Sequence, residues 1–218
     1  MEKQTIALFG ATGRTGVPFL ELALEHFTVK ALVRDPSKVT LSYPGLTLIE
    51  GDILNAGDVS QTIESAHIVV SLIGHGKDSP ENLQSHAMRN ILVAMKEHDV
   101  HRIVSLTGGG VRDKANDTPG LMDRFVVFAM KNLAGKGARR ALLDGITHAN
   151  LIRQSGTQWT IVRGPMLTEE PAKGKIQVGN VGQVKGFKLT REDLAAFILE
   201  VIRSKSYIHQ MPFVTNGK

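Results

Sequence analysis

A glycine-rich stretch near the start of the chain constrains the fold more than any other feature. Residues 5–16 read TIALFGATGRTG, in which an apolar run typical of a β-strand leads into Gly10, Gly13 and Gly16 before a helical pattern begins. Gly10 can take turn angles closed to other residues, Gly13 presents no Cβ to a bound phosphate, and Gly16 lets the helix pack close to the strand. The stretch therefore predicts a strand, a phosphate-binding turn and a helix.

The surroundings of this turn make the prediction more specific. A GxxGxxG spacing is a weak signal alone, but a position after a strand and before a helix is the context that dinucleotide binding requires. The unpaired N–H groups at the start of the helix would face the phosphates. We expect the cofactor to be bound by this turn, through Gly10, Thr12, Gly13, Arg14, Thr15 and Gly16.

Strand-like and helix-like segments alternate along the rest of the chain. The predicted strands after the first cover residues 28–33, 46–50, 67–73, 101–107 and 158–163, with Phe213 and Val214 as a plausible edge strand. The predicted helices cover 17–26, 58–65, 81–98, 121–133, 138–154 and a last segment capped by Thr190. Near-continuous apolar strands alternating with helices indicate a parallel sheet covered on both faces. We predict a single α/β domain over residues 1–218, with a Rossmann-like, doubly wound parallel sheet in three layers.

Composition limits the chemistry that this chain can perform. The sequence has no cysteine, which excludes disulfides, thiolate metal sites and a cysteine nucleophile and fits a reducing cytoplasm. The histidines, including His98 and His101, show no metal-site spacing, so we expect no metal. The start of the chain predicts no signal peptide, and no apolar run is long enough to cross a membrane.

The positive charge is unevenly distributed along the sequence. The net charge is +5, and residues 102–163 hold ten Lys or Arg against four Asp or Glu. No interleaving of aromatic and basic residues accompanies this excess, as binding of single-stranded nucleic acid would require. We therefore expect no nucleic acid partner, because a phosphate-rich cofactor explains the charge more economically.

The end of the second predicted strand bears on the choice of cofactor. An NAD-specific site carries an acid there for the ribose 2′-hydroxyl, whereas the first residue past this strand is Arg34. Arg34 and Arg14 can converge on a 2′-phosphate, which favours NADP(H) over NAD(H). The alternative is that Arg34 is a solvated charge and Asp35 binds the ribose.

The ends of the later strands supply the other predicted contacts. Asp52 follows the third strand, where an acid can accept a hydrogen bond from the adenine amino group, although a turn role explains it almost as well. We expect cofactor contacts from Asp52, Ile53, Leu72, Ile73, Gly74, Thr107, Gly108 and Pro165, with the nicotinamide beside the last three. A polar loop at 111–120 and a hairpin within 166–188 are predicted to cover the acceptor.

Five segments together resemble a known family. They are GATGRTG, VRD at 33–35, GD at 51–52, SGTQWTIVRGP at 155–165 and TREDLAAFI at 190–198. This pattern is similar to the atypical short-chain dehydrogenase/reductases, and within them to the NAD(P)H-binding group that includes flavin reductase/biliverdin reductase B and the NmrA-like proteins. The resemblance covers nearly the whole chain and implies a doubly wound fold and a nicotinamide cofactor.

The catalytic residues are harder to assign. The tyrosine–lysine pair usual in that superfamily is missing from the sequence, because neither Tyr43 nor Tyr207 has a lysine four residues on. Asp144 and His148 share one face of a predicted helix, where the aspartate can orient the ring and raise its pKa. They are candidates for an acid–base dyad, with a helix-surface pair as the alternative. The resemblance adds that flavin reductase-like proteins have a histidine near their substrate pocket at the position of His148.

Two functions are compatible with these features. The first is an NADPH-dependent oxidoreductase that transfers hydride to a flavin, quinone or similar planar acceptor, since ring stacking supplies most of the rate and water can supply the proton. Gly108 and Met166 stand where the flavin reductase-like pattern has a serine and a histidine, which separates the chain from a close match. The second is a non-catalytic NADP(H)-binding redox sensor of the NmrA-like type that acts through a protein partner. Self-association as a homodimer is left open.

Overall fold

Strands and helices alternate through residues 3–76 and 79–217, which the computed structural model describes. Residues 1, 2, 77, 78 and 218 of the predicted domain lie outside the described residues. The strands are β1 (Thr5–Phe9), β2 (Thr28–Val33), β3 (Leu46–Glu50), β4 (Ile68–Ser71), β5 (Arg102–Gly108), β6 (Gln158–Gly164), β7 (Met166–Thr168), β8 (Gln177–Gly179), β9 (Lys188–Thr190) and β10 (Phe213–Thr215). The α-helices are α1 (Gly16–His26), α2 (Ala56–Ile63), α3 (Leu83–Glu97), α4 (Leu121–Asn132), α5 (Gly135–Arg153) and α6 (Arg191–Ser204).

Eight of the strands form one sheet in the order β3-β2-β1-β4-β5-β6-β10-β8. All neighbours in it are parallel except β8, which runs antiparallel to β10. The direction of winding reverses between β1 and β4, where Ile6 pairs with Val29 on one side and Ile68 on the other. Ligands of doubly wound sheets bind beyond the strand ends at such a reversal. The predicted fold, an α/β doubly wound parallel sheet in one domain, is confirmed.

The two faces of the sheet bury separate apolar cores. Alternate residues of a strand point to opposite faces, so Ile6 and Leu8 contribute to one core while Ala7 and Phe9 contribute to the other. The first core is covered by α1 and α6, and the second by α2, α3 and α5. These layers hold the carboxyl ends of β1, β4 and β5 together at one edge of the molecule.

Three details of the predicted elements are wrong. Phe213 and Val214 do not form an edge strand, because β8 adds to the outer side of β10. The 166–188 segment is not a hairpin, since β7 pairs in parallel with β9 while β8 pairs with β10. The helix predicted to begin at residue 138 begins earlier, because α5 starts at Gly135.

Two kinds of feature are absent from the described residues. No helix within residues 3–76 and 79–217 has both the length and the apolar character needed to cross a membrane. The same ranges hold no group of three or more His, Cys, Asp or Glu side chains that could hold a metal ion.

Candidate functional site

The glycine turn between β1 and α1 has the geometry that its sequence predicts. Gly10 has a φ of +93°, and a Cβ there would lie 3.0 Å from the backbone carbonyl of Leu72. The turn closes by a hydrogen bond from the N–H of Gly13 to the carbonyl of Gly10, 3.0 Å long. A Cβ on Gly16 would overlap that same carbonyl oxygen. Only glycine therefore allows α1 to begin this close to the strand.

A cavity of about 500 Å³ extends from this turn along the ends of the neighbouring strands. Its size lies within the usual range of ligand pockets, roughly 300–1,000 Å³. Most of the predicted cofactor residues line it, namely Gly10, Thr12, Gly13, Arg34, Asp52, Ile53, Leu72, Ile73 and Gly74. No acidic residue occupies the first turn of α1, so its positive dipole end is left for an anion. A dinucleotide phosphate fits this cradle.

Other residues predicted in the turn have protein partners. The hydroxyl of Thr15 is buried and accepts a hydrogen bond from Nη1 of Arg191, 3.0 Å away. The guanidinium of Arg14 forms an exposed ion pair with Glu169, with Nη1 3.2 Å from Oε1. The two arginines therefore do not converge as expected. Arg34 is among the described residues that line the cavity, and Arg14 is not.

The two acids near this cavity are engaged in turns. Asp35 accepts hydrogen bonds from the N–H and the hydroxyl of Ser37, at 3.1 and 2.6 Å, and the hydroxyl bond is the main reason that the pKa of Asp35 is lowered. Asp52 accepts from the N–H of Leu54 at 2.8 Å while still lining the cavity. Both side chains therefore stabilise local turns.

A second, smaller cavity of about 250 Å³ opens beside the first, and Ile73 and Gly74 line both. Its walls are mostly apolar and include the three residues predicted beside the nicotinamide, Thr107, Gly108 and Pro165. The remaining lining comes from the segment that follows β4, from β5 and the two residues Gly110 and Val111 after it, and from the end of β6. The helices α3, α4 and α5 add further residues, and Leu167 comes from the 166–188 segment. The cover over this cavity is thus more helical than the sequence predicts.

The predicted contact between Asp144 and His148 is not formed. The Asp144 carboxylate instead accepts hydrogen bonds from the backbone N–H groups of Gln84 and Ser85, at 2.8 and 3.0 Å, and contacts Nε2 of His75 at 2.8 Å. Burial acts to raise the pKa of Asp144, but the hydrogen bonds from Ser85, Gln84 and His75 outweigh it and lower the pKa. Asp144 is therefore held as a carboxylate against the start of α3.

His148 lies behind the cavity wall and not in it. Its side chain is 2% exposed, and its Nε2 lies 3.0 Å from the hydroxyl of Ser105. Because that hydroxyl donates to the carbonyl of Ser71, His148 donates from Nε2, and its buried Nδ1 has no hydrogen-bond partner among the described residues. Burial lowers the pKa of His148 to about 4 despite the opposing charge of Asp144. The predicted rise in this pKa is wrong, since desolvation exceeds the attraction to the carboxylate.

His75 was not among the catalytic residues that sequence reasoning selected. Its place after β4 was visible as the glycine-flanked segment 74–76, but its partner lies 69 residues away in sequence. His75 lines the smaller cavity, and its side chain is 17% exposed.

The fold and the two joined cavities define a dinucleotide-binding protein of the Rossmann type. A model of the NAD(P)H-binding family matches residues 10–205, and the chain belongs to this family. The predicted resemblance is confirmed by this match.

Individual relatives agree with the family assignment. The chain is 28% identical to the reductase pytE of Aspergillus terreus, with 93% of each chain covered. A short-chain dehydrogenase/reductase of Veillonella parvula in complex with NADP has a TM-score of 0.79 at 18% identity, over 99% of this chain and 95% of that one. ChuY, an anaerobilin reductase of Escherichia coli O157:H7, has a TM-score of 0.77 at 23% identity, over 98% and 97%. At these identities the two solved structures show the fold alone.

Proposed function

We propose that this protein is an NADPH-dependent reductase of a small planar acceptor, with a flavin or a quinone as the preferred class. The observation that carries the proposal is the joining of the two cavities at Ile73 and Gly74. The larger cavity has a phosphate-binding turn, and the smaller one is an apolar space at the ends of β5 and β6. Such an arrangement suits a dinucleotide whose reactive ring reaches a stacked acceptor.

Each part of the larger cavity has a separate role in holding the cofactor. The Gly10–Gly16 turn and the start of α1 would bind the pyrophosphate, and the apolar side chains of Ile53 and Leu72 would contact the adenosine half. When bound, NADPH supplies a hydride. The Veillonella parvula structure in complex with NADP and the reductase pytE support this assignment.

The preference for NADPH is supported by the residues after β2. Arg34 lines the larger cavity, where a guanidinium can pair with a 2′-phosphate. The side chain of Asp35, the alternative partner for a ribose hydroxyl, is engaged by Ser37. The described residues at the end of β2 therefore offer no unengaged carboxylate for the ribose 2′-hydroxyl of NAD.

The smaller cavity restricts the acceptor. Its volume of about 250 Å³ is just below the usual range of ligand pockets, and no Lys or Arg is found among its described lining residues. A tetrapyrrole with carboxylate side chains, as the anaerobilin reductase relative suggests, would need more room and cationic partners. These properties favour a compact, uncharged ring system.

The test is the oxidation of NADPH by the purified protein with flavins, quinones and bilins as acceptors, and with NADH in parallel. Turnover with flavins or quinones, and NADPH preferred, is the expected result. The variant Ala141→Phe narrows the acceptor cavity and should remove turnover while NADP⁺ binding, measured by calorimetry, stays within about threefold. The matched control Leu143→Phe enlarges an exposed residue of the same helix and should keep turnover. Reduction of bilins alone would contradict the acceptor class.

A second candidate is an NADP(H)-binding regulator that acts through a protein partner. The observation that favours it is the surface of α4, which has no buried residue and exposes Leu121, Phe125 and the following Leu133 by 87%, 57% and 67%. Large exposed apolar patches often mark protein contacts. Tight NADPH binding without reduction of any acceptor would favour this function over the reductase.

A further inference from the structure

The smaller cavity has one ionisable side chain among its described lining residues, and it is His75. This residue follows β4 in the segment that lines both cavities. Its neighbours around the cavity are glycines, aliphatic side chains, Thr107 and Gln84, and the amide of Gln84 already donates to the carbonyl of Ile73 at 2.7 Å. His75 is therefore the residue best placed to exchange a proton with a molecule in this space.

The ring of His75 is oriented by a fixed carboxylate. Nε2 lies 2.8 Å from Oδ2 of Asp144, whose side chain is 1% exposed. Asp144 is in turn fixed by the N–H groups of Gln84 and Ser85. These N–H groups are available because the side chain of Asn82, the N-cap residue of α3, does not cap the helix. The carboxylate thus completes the start of α3 and orients the imidazole at the same time.

The remaining ring nitrogen is available for chemistry. Nδ1 of His75 makes no hydrogen bond within the part of the chain that the structure describes, whereas Nε2 is committed to Asp144. A histidine that donates one N–H to a carboxylate and presents its other nitrogen to a ligand has the arrangement of a general acid or base. Among the described residues, Glu81 before α3 forms an exposed ion pair with Arg140 of α5, and the buried ring of His148 is neutral.

We propose that His75, oriented by Asp144, is the proton donor to the acceptor. This inference rests on the proposed reductase function. The acceptor gains two electrons and one hydrogen as the hydride from the reduced nicotinamide, and a carbonyl oxygen or ring nitrogen conjugated with that position gains the proton from Nδ1. The imidazolium becomes a neutral imidazole, which water protonates again. The acceptor class is therefore a conjugated ring with a basic oxygen or nitrogen, as in a quinone or a flavin.

The principal experiment compares His75→Gln with the wild type, using NADPH and the best acceptor of the panel. We expect kcat to fall about 100-fold, as for the loss of a general acid. NADP⁺ affinity, measured by calorimetry, should change less than threefold, because the phosphate-binding turn is untouched. The matched control is His101→Gln, which alters another His–Asp pair, with Nε2 3.1 Å from Asp99, but on an exposed part of the chain before β5. It should keep the wild-type kcat.

A readout that needs no turnover tests the geometry. In ¹⁵N spectra of the ligand-free protein, neutral His75 should carry its proton on Nε2, and Asp144→Asn should abolish that preference. Imidazole in the buffer should restore part of the lost kcat to His75→Ala and should leave the kcat of the wild type unchanged. If the wild type turns over and His75→Gln retains its kcat within threefold, the proton-donor role is wrong while the reductase function stands. If the wild type reduces no acceptor, the proposed function and this inference both fail.

Discussion

The guanidinium of Arg163 and the carboxylate of Asp117 form a two-point ion pair inside the protein. Nη1 lies 2.6 Å from Oδ2 and Nη2 lies 3.0 Å from Oδ1, and the two side chains are 0% and 2% exposed. The same carboxylate accepts the N–H groups of Asp113 and Val181, at 2.8 and 3.0 Å. One side chain therefore links β6, the polar loop at 111–120 and the segment at 166–188.

Breaking this pair is expected to be costly. Asp117→Ala leaves a buried guanidinium uncompensated, and such changes destabilise a protein by about 3–5 kcal/mol. The measurement is urea unfolding, with Glu81→Gln as a control because the exposed pair of Glu81 with Arg140 should contribute about 1 kcal/mol or less. Limited proteolysis should also show earlier cleavage within 111–120 and 166–188. Equal unfolding midpoints for Asp117→Ala and Glu81→Gln would contradict this role.

The two arginines near the nucleotide are expected to contribute unequally. Arg34→Glu should weaken NADPH at least tenfold more than NADH, because it replaces a cation that lines the cavity with an anion. Arg14→Glu should have a smaller effect, since the side chain of Arg14 is 74% exposed and pairs with Glu169. Dissociation constants for both nucleotides, measured by fluorescence titration, test the difference. Equal weakening of NADPH and NADH by Arg34→Glu would remove the 2′-phosphate role.

The buried Asp193 should make stability dependent on acid pH. Its carboxylate accepts from the N–H groups of Lys173 and Gly174, the hydroxyl of Thr190 and the amide of Asn216, at 2.6 to 3.0 Å. Burial acts to raise the pKa of Asp193, but these hydrogen bonds outweigh it, so the pKa is lowered. The folded state then binds this proton less readily than the unfolded state, and the contribution is present above the ordinary pKa of 3.8 and lost as pH falls below it.

The corresponding test compares Asp193→Asn with the wild type across pH. At pH 7 the variant should be less stable by about 2 kcal/mol, since hydrogen bonds to a charged acceptor are lost. The difference should shrink below pH 3.8. Glu192→Gln is the control, because its exposed carboxylate accepts one hydrogen bond from the described residues, that of the Ala172 N–H. A difference that stays constant from pH 7 to pH 3 would exclude the carboxylate as its source.

Local chemistry explains why much of the site could be predicted from the sequence. The glycine turn depends on a positive φ at Gly10 and on the lack of a Cβ at Gly16, and both requirements are met within a dozen residues. Parallel strands end at one edge of the sheet, so residues such as Ile73 and Thr107 could be assigned to the site without knowledge of side-chain contacts. Thr190 as the cap of α6, accepting from the N–H of Asp193, is equally local.

The contacts that sequence reasoning missed join distant parts of the chain. A spacing of four residues places Asp144 and His148 on one face of α5, but it does not say which elements pack against that face. The start of α3 and His75 engage Asp144, while Ser105 of β5 engages His148. The WTIVRGP segment likewise suggested family membership without indicating that Arg163 would pair with a loop residue 46 positions earlier.

The buried ring of His148 should make the protein less stable in mild acid. Its pKa is lowered from 6.5 to about 4 by burial, so the unfolded state binds this proton first as pH falls. Stability is therefore present at pH 7 and declines between about pH 6.5 and 4, by on the order of 3 kcal/mol for this residue. In His148→Leu this contribution to the decline of the unfolding free energy should be absent, because leucine binds no proton. The variant should still fold, because Ser105 retains its hydrogen bond to Ser71.

Turnover measured on the same variant tests the acid–base role that the sequence suggests for His148. Because the ring is neutral and lies behind Ser105, outside the described cavity lining, we expect kcat of His148→Leu to stay within about threefold of the wild type. The comparison variant is His75→Gln. Its unfolding free energy should decline between pH 6.5 and 4 as in the wild type, whereas its kcat should fall. A 100-fold loss of kcat in His148→Leu with normal folding would contradict this expectation and favour His148 as the general acid.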